Sequence, residues 1–184
     1  GVVTFENPHL LKLVEQKQFD TIYHEHLSYL SLKPLVSFFS SYDMEIFEVQ
    51  RRDIHGGSFR FFVRRLGAQG RAVSGVIANL LAAEESSGIY DLERLARFAA
   101  DVDKNRTDLC RLLEDLKKNG SRIAGVSAPA KGMTLLNYCG IGKDTLEFIT
   151  EKTDLKIGRY TPGGQIPVVT DQVLIDERPD YALL

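Results

Sequence analysis

The 184-residue chain carries 23 Lys and Arg against 25 Asp and Glu, a formal net charge of −2, with 43% hydrophobic and 26% charged residues. That length supports a sizeable core in one large or two small domains, and the near-balance of charge gives no electrostatic reason to expect nucleic acid or an anionic membrane surface as partner. No apolar run reaches transmembrane length and no segment has the form of a signal peptide, so the expected location is cytoplasmic.

Residues 2–6, β-branched and aromatic, predict a buried strand that Asn7-Pro8 interrupts. Residues 9–15 carry Leu10, Leu11, Leu13 and Val14 at helical spacing. The stretch 19–30, FDTIYHEHLSYL, has no clean period and reads as a structured loop. Ser31 is placed to cap a helix over 32–42, with Pro34 in its first turn. Two extended runs follow, MEIFEVQRR and SFRFFVRR, joined by DIHGG, and predict an antiparallel hairpin whose glycines accept positive φ.

Residues 71–118 read as helix, broken at Ser86-Ser87-Gly88. Asp91 is the expected N-cap of the second part and Gly120 its C′ residue. A long amphipathic element for packing or dimerisation is the simple reading. At Arg122 the pattern changes to a short strand RIAGVSA, a turn PAKG, a helix MTLLNYC and a strand LEFIT, followed by the loop GRYTPGGQIP, then VVTDQVLI and DYALL. Strand, turn, helix, strand is a βαβ unit, so a Rossmann-like domain with a parallel sheet is expected from about residue 120. The chain opens and closes on apparent strands, which predicts a piece of a longer polypeptide.

Four stretches carry candidate chemistry. In YHEH, an imidazole near neutral pKa suits a general base, a neighbouring carboxylate can orient it, and a tyrosine hydroxyl can stabilise a developing oxyanion. Spacing alone equally allows a hydrogen-bonded structural loop, or a metal set of His24, His26 and His55. In HGG, His55, Gly56 and Gly57 form a turn that can face a cleft, with Arg60 available to an anion. GVSAPAKG places backbone N–H groups at a helix N-terminus beside Lys131, an anion site that fits neither G-x-G-x-x-G nor a P-loop. An acidic residue for a ribose is present only loosely, as Glu151 or Asp154. In KIGRYTPGGQIP, the residues Lys156, Arg159 and Tyr160 can close over a diphosphate. Cys110 and Cys139 match no zinc or redox spacing and are expected as buried thiols.

Taken together and in order, FDTIYHEH, IHGGSFR, SAPAKGMTLLNYCGIG and KIGRYTPGGQIPV closely resemble the sugar C-methyltransferase family over nearly the whole chain. The resemblance implies an α/β fold: residues 1–66 as the C-terminal part of a class I methyltransferase sheet with an antiparallel last strand, 67–119 as a helical connector, and 120–184 as a truncated Rossmann-like nucleotide-sugar-binding domain. It implies S-adenosylmethionine as cofactor and a nucleotide-linked keto-deoxysugar as substrate. The cofactor loop and a zinc-binding domain are expected upstream of Gly1, so no metal is expected in this chain. On the same basis His26 is the base that removes the proton beside the ketone, with Tyr23 and Glu25 shaping that site and His24 carrying no catalytic role. His55, Gly56, Gly57, Pro129, Ala130, Lys131, Gly132, Asn137, Arg159 and Tyr160 are the substrate-binding set. The other readings are a non-catalytic nucleotide-sugar or phosphate-binding module and a histidine-metal lyase or isomerase. The sequence sets no oligomeric state.

Overall fold

The run 44–65 folds into the hairpin that its alternation predicts. In the computed structural model, which describes residues 1–184, β2 (Met44–Arg52) and β3 (Ser58–Arg65) pair antiparallel from Met44↔Arg65 to Arg52↔Ser58, with an irregularity between Ile46 and Glu48. Phe59, Phe61 and Val63 alternate into the core, while Arg60 and Arg64 on the opposite face pair with Glu6 and Glu45. Period-two alternation thus separates an apolar face from an ion-paired one. Arg60, read from the sequence as available to an anion, is taken up by Glu6 at 2.6 Å.

β1 (Val2–Pro8) pairs antiparallel with β3, so the three-stranded order is β1-β3-β2 and the last of these three strands in chain order is central. This is the antiparallel last strand that the resemblance implies. The expected burial of β1 fails: Val2, Val3 and Phe5 are exposed, and the strand runs through Pro8 rather than stopping before it. β1 is an edge strand, and an edge tolerates a residue that cannot donate to the ladder.

Two compact units divide the chain: residues 1–19 with 26–101, and residues 20–25 with 102–184. In the first, α1 (Leu10–Glu15) follows β1. α2 (Leu32–Ser40) and α3 (Gly75–Ser86) cover the sheet, and Leu32, Phe39, Ile46, Val49, Phe59, Phe61, Val63, Ile77 and Leu80 form the core. Burying each such side chain contributes about 1.5–3 kcal/mol. α2 ends two residues sooner than its spacing suggests, and residues 71–74 lead into α3 rather than belonging to it.

α4 (Leu92–Lys118) begins where the Asp91 carbonyl accepts from the N–H of Leu95. It ends on Gly120, at φ +81°, with Ser121 N–H bonded to the Leu116 carbonyl and Gly120 N–H to that of Lys117. That pair of bonds is a Schellman cap, which requires the left-handed residue that glycine supplies.

Four parallel strands follow in the order β6-β5-β4-β7: β4 (Ile123–Val126), β5 (Ile149–Thr150), β6 (Val168–Val169) and β7 (Tyr181–Leu183). α5 (Ala130–Cys139) crosses between β4 and β5, and α6 (Asp171–Glu177) between β6 and β7. PAKG is therefore the N-cap and first turn of α5, not a turn before it. Ile123, Leu136, Ile141, Leu146, Ile149, Ile166 and Val168 close this core with Leu113 of α4. At Gly125 any Cβ would sit 2.8 Å from the Ile149 side chain, so the β4–β5 packing excludes larger residues. Arg122 fastens the start of β4 by pairing with Glu147 at 2.8 Å and Glu177 at 2.9 Å.

Candidate active site

Strand order in the second unit reverses at β4, with β5 on one side and β7 on the other. In an open parallel sheet the crevice outside the carboxyl ends of the strands, at such a reversal, is the usual ligand position. A cavity of about 320 Å³ lies there, lined by Val126, Ser127, Pro129, Lys131 and Gly132 together with Leu183 of β7. Ser127 holds φ +62°, an uncommon backbone state for a side chain other than glycine, at the point where β4 gives way to α5. Pro129, the N-cap, supplies no side-chain acceptor. The first-turn N–H groups thus have no cap of their own and carry the positive end of the helix dipole.

On the other side of the α5 N-terminus lies a cavity of about 210 Å³, lined by Ala128, Ala130, Lys156, Arg159, Tyr160 and Pro162. The sequence motifs SAPAKG and KIGRYTPGGQIP therefore meet around one helix end. Lys156 is not free to close over a ligand: its Nζ donates to the Ala128 carbonyl at 2.8 Å and pairs with Glu151 at 2.9 Å. That pair, with N–H donors from Lys152 and Thr153, holds the Glu151 carboxyl down at about 2 against the opposing pull of burial. Glu151, weighed as a ribose ligand, is thereby occupied. Asn137 Nδ2 donates to the carbonyls of Met133 at 2.8 Å and Pro162 at 3.3 Å, pinning the 158–167 loop to α5. Gly163, at φ +79°, passes so close to Asn137 that a Cβ would overlap its amide.

The YHEH segment lies across the division between the units, with Tyr23, His24 and Glu25 in the second and His26 in the first. Tyr23 Oη donates to Glu25 Oε2 at 3.2 Å and its ring meets that of His24 edge-on at 5.6 Å. Loss of solvent, the Glu25 bond and the nearby charges of Glu25 and Asp20 push the Tyr23 phenol up. His24 and Glu25 are exposed and His26 is half-buried.

His55, Gly56 and Gly57 all take positive φ, at +50°, +75° and +117°, and His55 is exposed at the hairpin tip. The close turn is backed by Gln18, whose amide donates to the Gly56 carbonyl at 2.8 Å. The His9 N–H donates to the Gly57 carbonyl at 3.0 Å, and the Leu10 N–H to the Leu30 carbonyl at 2.8 Å. Within the first unit, the HGG turn and the chain leaving YHEH are thus bonded to adjacent residues.

Residues 53–184 match the family model described as the C-methyltransferase C-terminal domain. The chain belongs to the C-methyltransferase C-terminal domain family. It is also 36% identical, over all 184 residues, to the C-methyltransferase NovU of Streptomyces niveus. The alignment takes in 100% of this chain and 44% of that relative, so the chain spans less than half the length of the protein it matches.

In this C-methyltransferase domain no three His, Cys, Asp or Glu side chains are grouped so as to hold a metal ion. Cys139 is buried and Cys110 half-buried, and the Cys110 thiol donates to the Cys139 carbonyl at 3.3 Å. Burial and the neighbouring Cys110 push the Cys139 thiol up to about 11.

One polar constellation of the C-methyltransferase domain escapes the sequence reading. Glu84, fully buried on α3, accepts from His9 Nε2 at 2.7 Å, Tyr90 Oη at 2.5 Å, Leu32 N at 2.6 Å and Lys33 N at 3.0 Å. Burial alone would push its carboxyl up, but these donors outweigh burial and hold it down. Ser31, expected to cap α2 with its own side chain, instead turns its hydroxyl to Tyr90 Oη at 3.1 Å, and Glu84 caps the helix in its place. The signal was available: residue 84 lies four past Leu80 and seven past Ile77, on the apolar stripe of α3.

Proposed function

We propose that this chain is the C-terminal part of an S-adenosylmethionine-dependent C-methyltransferase that acts on a nucleotide-linked keto-deoxysugar in the cytoplasm. The uncapped N-terminus of α5, opening on the cavity at the strand-order reversal in a chain of this family, carries the reading. Backbone N–H groups with Lys131 on one side and Arg159 on the other suit a diphosphate. Pro129, Ala130 and Gly132 allow it close approach, and Tyr160 and Asn137 shape the neighbouring loop.

His26 then serves as general base, taking the proton from the sugar carbon next to the ketone. A base so placed contributes on the order of 10²–10⁴ in rate. Tyr23, once its hydroxyl turns away from Glu25, can donate toward the oxygen on which negative charge develops, and His55 with its glycines borders the substrate.

The residues present do not fit a cradle for the methyl donor. β1 enters the six-residue α1 through Asn7-Pro8-His9, without the glycine-rich strand-to-helix turn such a cofactor needs. No residue of this strand-to-helix turn is therefore assigned to holding S-adenosylmethionine. No helix is long and apolar enough to cross a membrane.

In the full-length enzyme, His26→Ala should abolish methyl transfer and solvent deuterium exchange at the sugar carbon, while calorimetry still detects the nucleotide sugar. Exchange at the normal rate would remove His26 from the role of base. Binding without any exchange in the wild-type enzyme would favour a non-catalytic nucleotide-sugar module.

A further inference from the structure

Between them, His9 and Leu10 bind both segments of the first unit that carry candidate chemistry: the His9 N–H holds the carbonyl of Gly57 in the HGG turn, and the Leu10 N–H holds that of Leu30, four residues after His26. A parallel bridge joins His9 and Leu30. The His9 ring, 5% exposed, lies edge-on against Phe59 at 4.9 Å and donates to Glu84 at 2.7 Å. The same carboxylate receives the N–H groups of Leu32 and Lys33, the next residues after the loop.

We infer that Glu84 is a positioning residue for the proton-transfer step, fixing through His9 and the start of α2 the ground on which the His26 loop and the HGG turn stand. The inference rests on the reading of His26 as base. The geometry demands an ionised carboxylate at this point. Leu32 N and Lys33 N can only donate, the hydroxyl of Tyr90 donates in this arrangement, and an ionised carboxyl is the side chain that accepts from all sides. Each Glu84 oxygen serves one backbone N–H and one side chain, Oε1 taking Leu32 and His9 and Oε2 taking Lys33 and Tyr90. An amide in its place would turn an NH₂ toward a backbone N–H that cannot reverse, whichever way it was flipped. That clash displaces either the start of α2 or His9, and both lead directly to candidate catalytic chain.

Glu84 touches no cavity wall described for the substrate, so its removal should act on the chemical step rather than on binding. In the full-length enzyme, Glu84→Gln should lower kcat about 10- to 100-fold, the cost of a misplacement near 1 Å. Deuterium exchange at the sugar carbon should fall in proportion, with KM for sugar nucleotide and methyl donor within about threefold of wild type on the same argument. Wild-type kcat and exchange in Glu84→Gln overturn the proposal, as does a rise in KM with kcat unchanged. If Glu84→Gln does not fold, Tyr90→Phe carries the test. It removes one donor, keeps the ring, and should lower kcat and exchange about threefold to tenfold with KM held; wild-type kcat in that folded variant overturns the proposal. His26→Ala, assayed in parallel, separates the two ideas: exchange persisting there sinks the base itself, whereas exchange lost there but intact in Glu84→Gln sinks only the positioning role.

Discussion

Lys156 Nζ reaches Glu151 Oε2 at 2.9 Å and the Ala128 carbonyl at 2.8 Å, so one ammonium ties the end of β5 to the segment that starts α5. Glu151 is nearly buried and its carboxyl titrates at about 2, well under the ordinary carboxylate value of about 4.3. A carboxyl depressed on folding contributes stability that is fully present above its unfolded pKa and is lost as pH falls through the folded one. Melting temperature should therefore drop between about pH 4.5 and pH 2 in the wild type. Glu151→Gln should melt lower at neutral pH and show a flatter profile across that window; an unchanged slope would show that this pair does not govern the acid limb.

Removing the carboxyl of Glu84 altogether strands the Leu32 N–H and the His9 imidazole in the core of the first unit and takes the acceptor from the Lys33 N–H and the Tyr90 hydroxyl at its margin. Glu84→Ala should cost roughly 3–5 kcal/mol, the usual penalty for breaking a buried charged network from one side. A urea titration followed by circular dichroism would read this as a lower midpoint with an unchanged slope.

Asn137 and Gly163 share a space that admits one side chain. Gly163→Ala adds a Cβ both to a residue at φ +79° and against the Asn137 amide. It should destabilise by more than about 1 kcal/mol. Asn137→Ala in the same chain should recover part of that loss, with a coupling energy of about 0.5–3 kcal/mol in a double-mutant cycle. Strict additivity would mean that the strained backbone, not the overlap, sets the cost.

Lys131 and Arg159 border the two cavities on either side of the α5 N-terminus. In the full-length protein, Lys131→Met and Arg159→Met should each weaken nucleoside diphosphate binding by about tenfold, equivalent to losing about 1.4 kcal/mol from a charged hydrogen bond. The loss should shrink as salt rises. Calorimetry at two ionic strengths checks both statements, and tight, salt-independent binding in both variants would place the diphosphate elsewhere.

Local pattern made most of the architecture readable. Alternation in MEIFEVQRR and SFRFFVRR marked β2 and β3, and Gly120 marked the end of α4 because a left-handed residue was needed there. What escaped depended on partners far away in sequence. Ser31 has every property of an N-cap, yet Glu84, 52 residues from Leu32, wins the cap because a carboxylate accepts more strongly than a hydroxyl. Arg60 reads as a cation waiting for an anion yet already holds Glu6, 54 residues away. Lys156, read the same way, is tied to the Ala128 carbonyl 28 residues away as well as to the nearby Glu151. Val2 and Val3 have the character of buried residues, but burial requires a covering element, which composition does not reveal.

The outer side of β1 has a practical meaning for anyone who isolates this domain. Only one of its two hydrogen-bonding edges is matched, by β3, and its exposed side chains include Val2, Val3 and Phe5. A strand of that kind is a template for its own copies. Residues 1–184 expressed alone should gather into concentration-dependent aggregates joined along β1, measurable by light scattering. A lysine at Val3 should keep the chains apart, since like charges on neighbouring copies oppose the joint. Colloidal behaviour, usually ascribed to overall charge, would here be governed by a single strand.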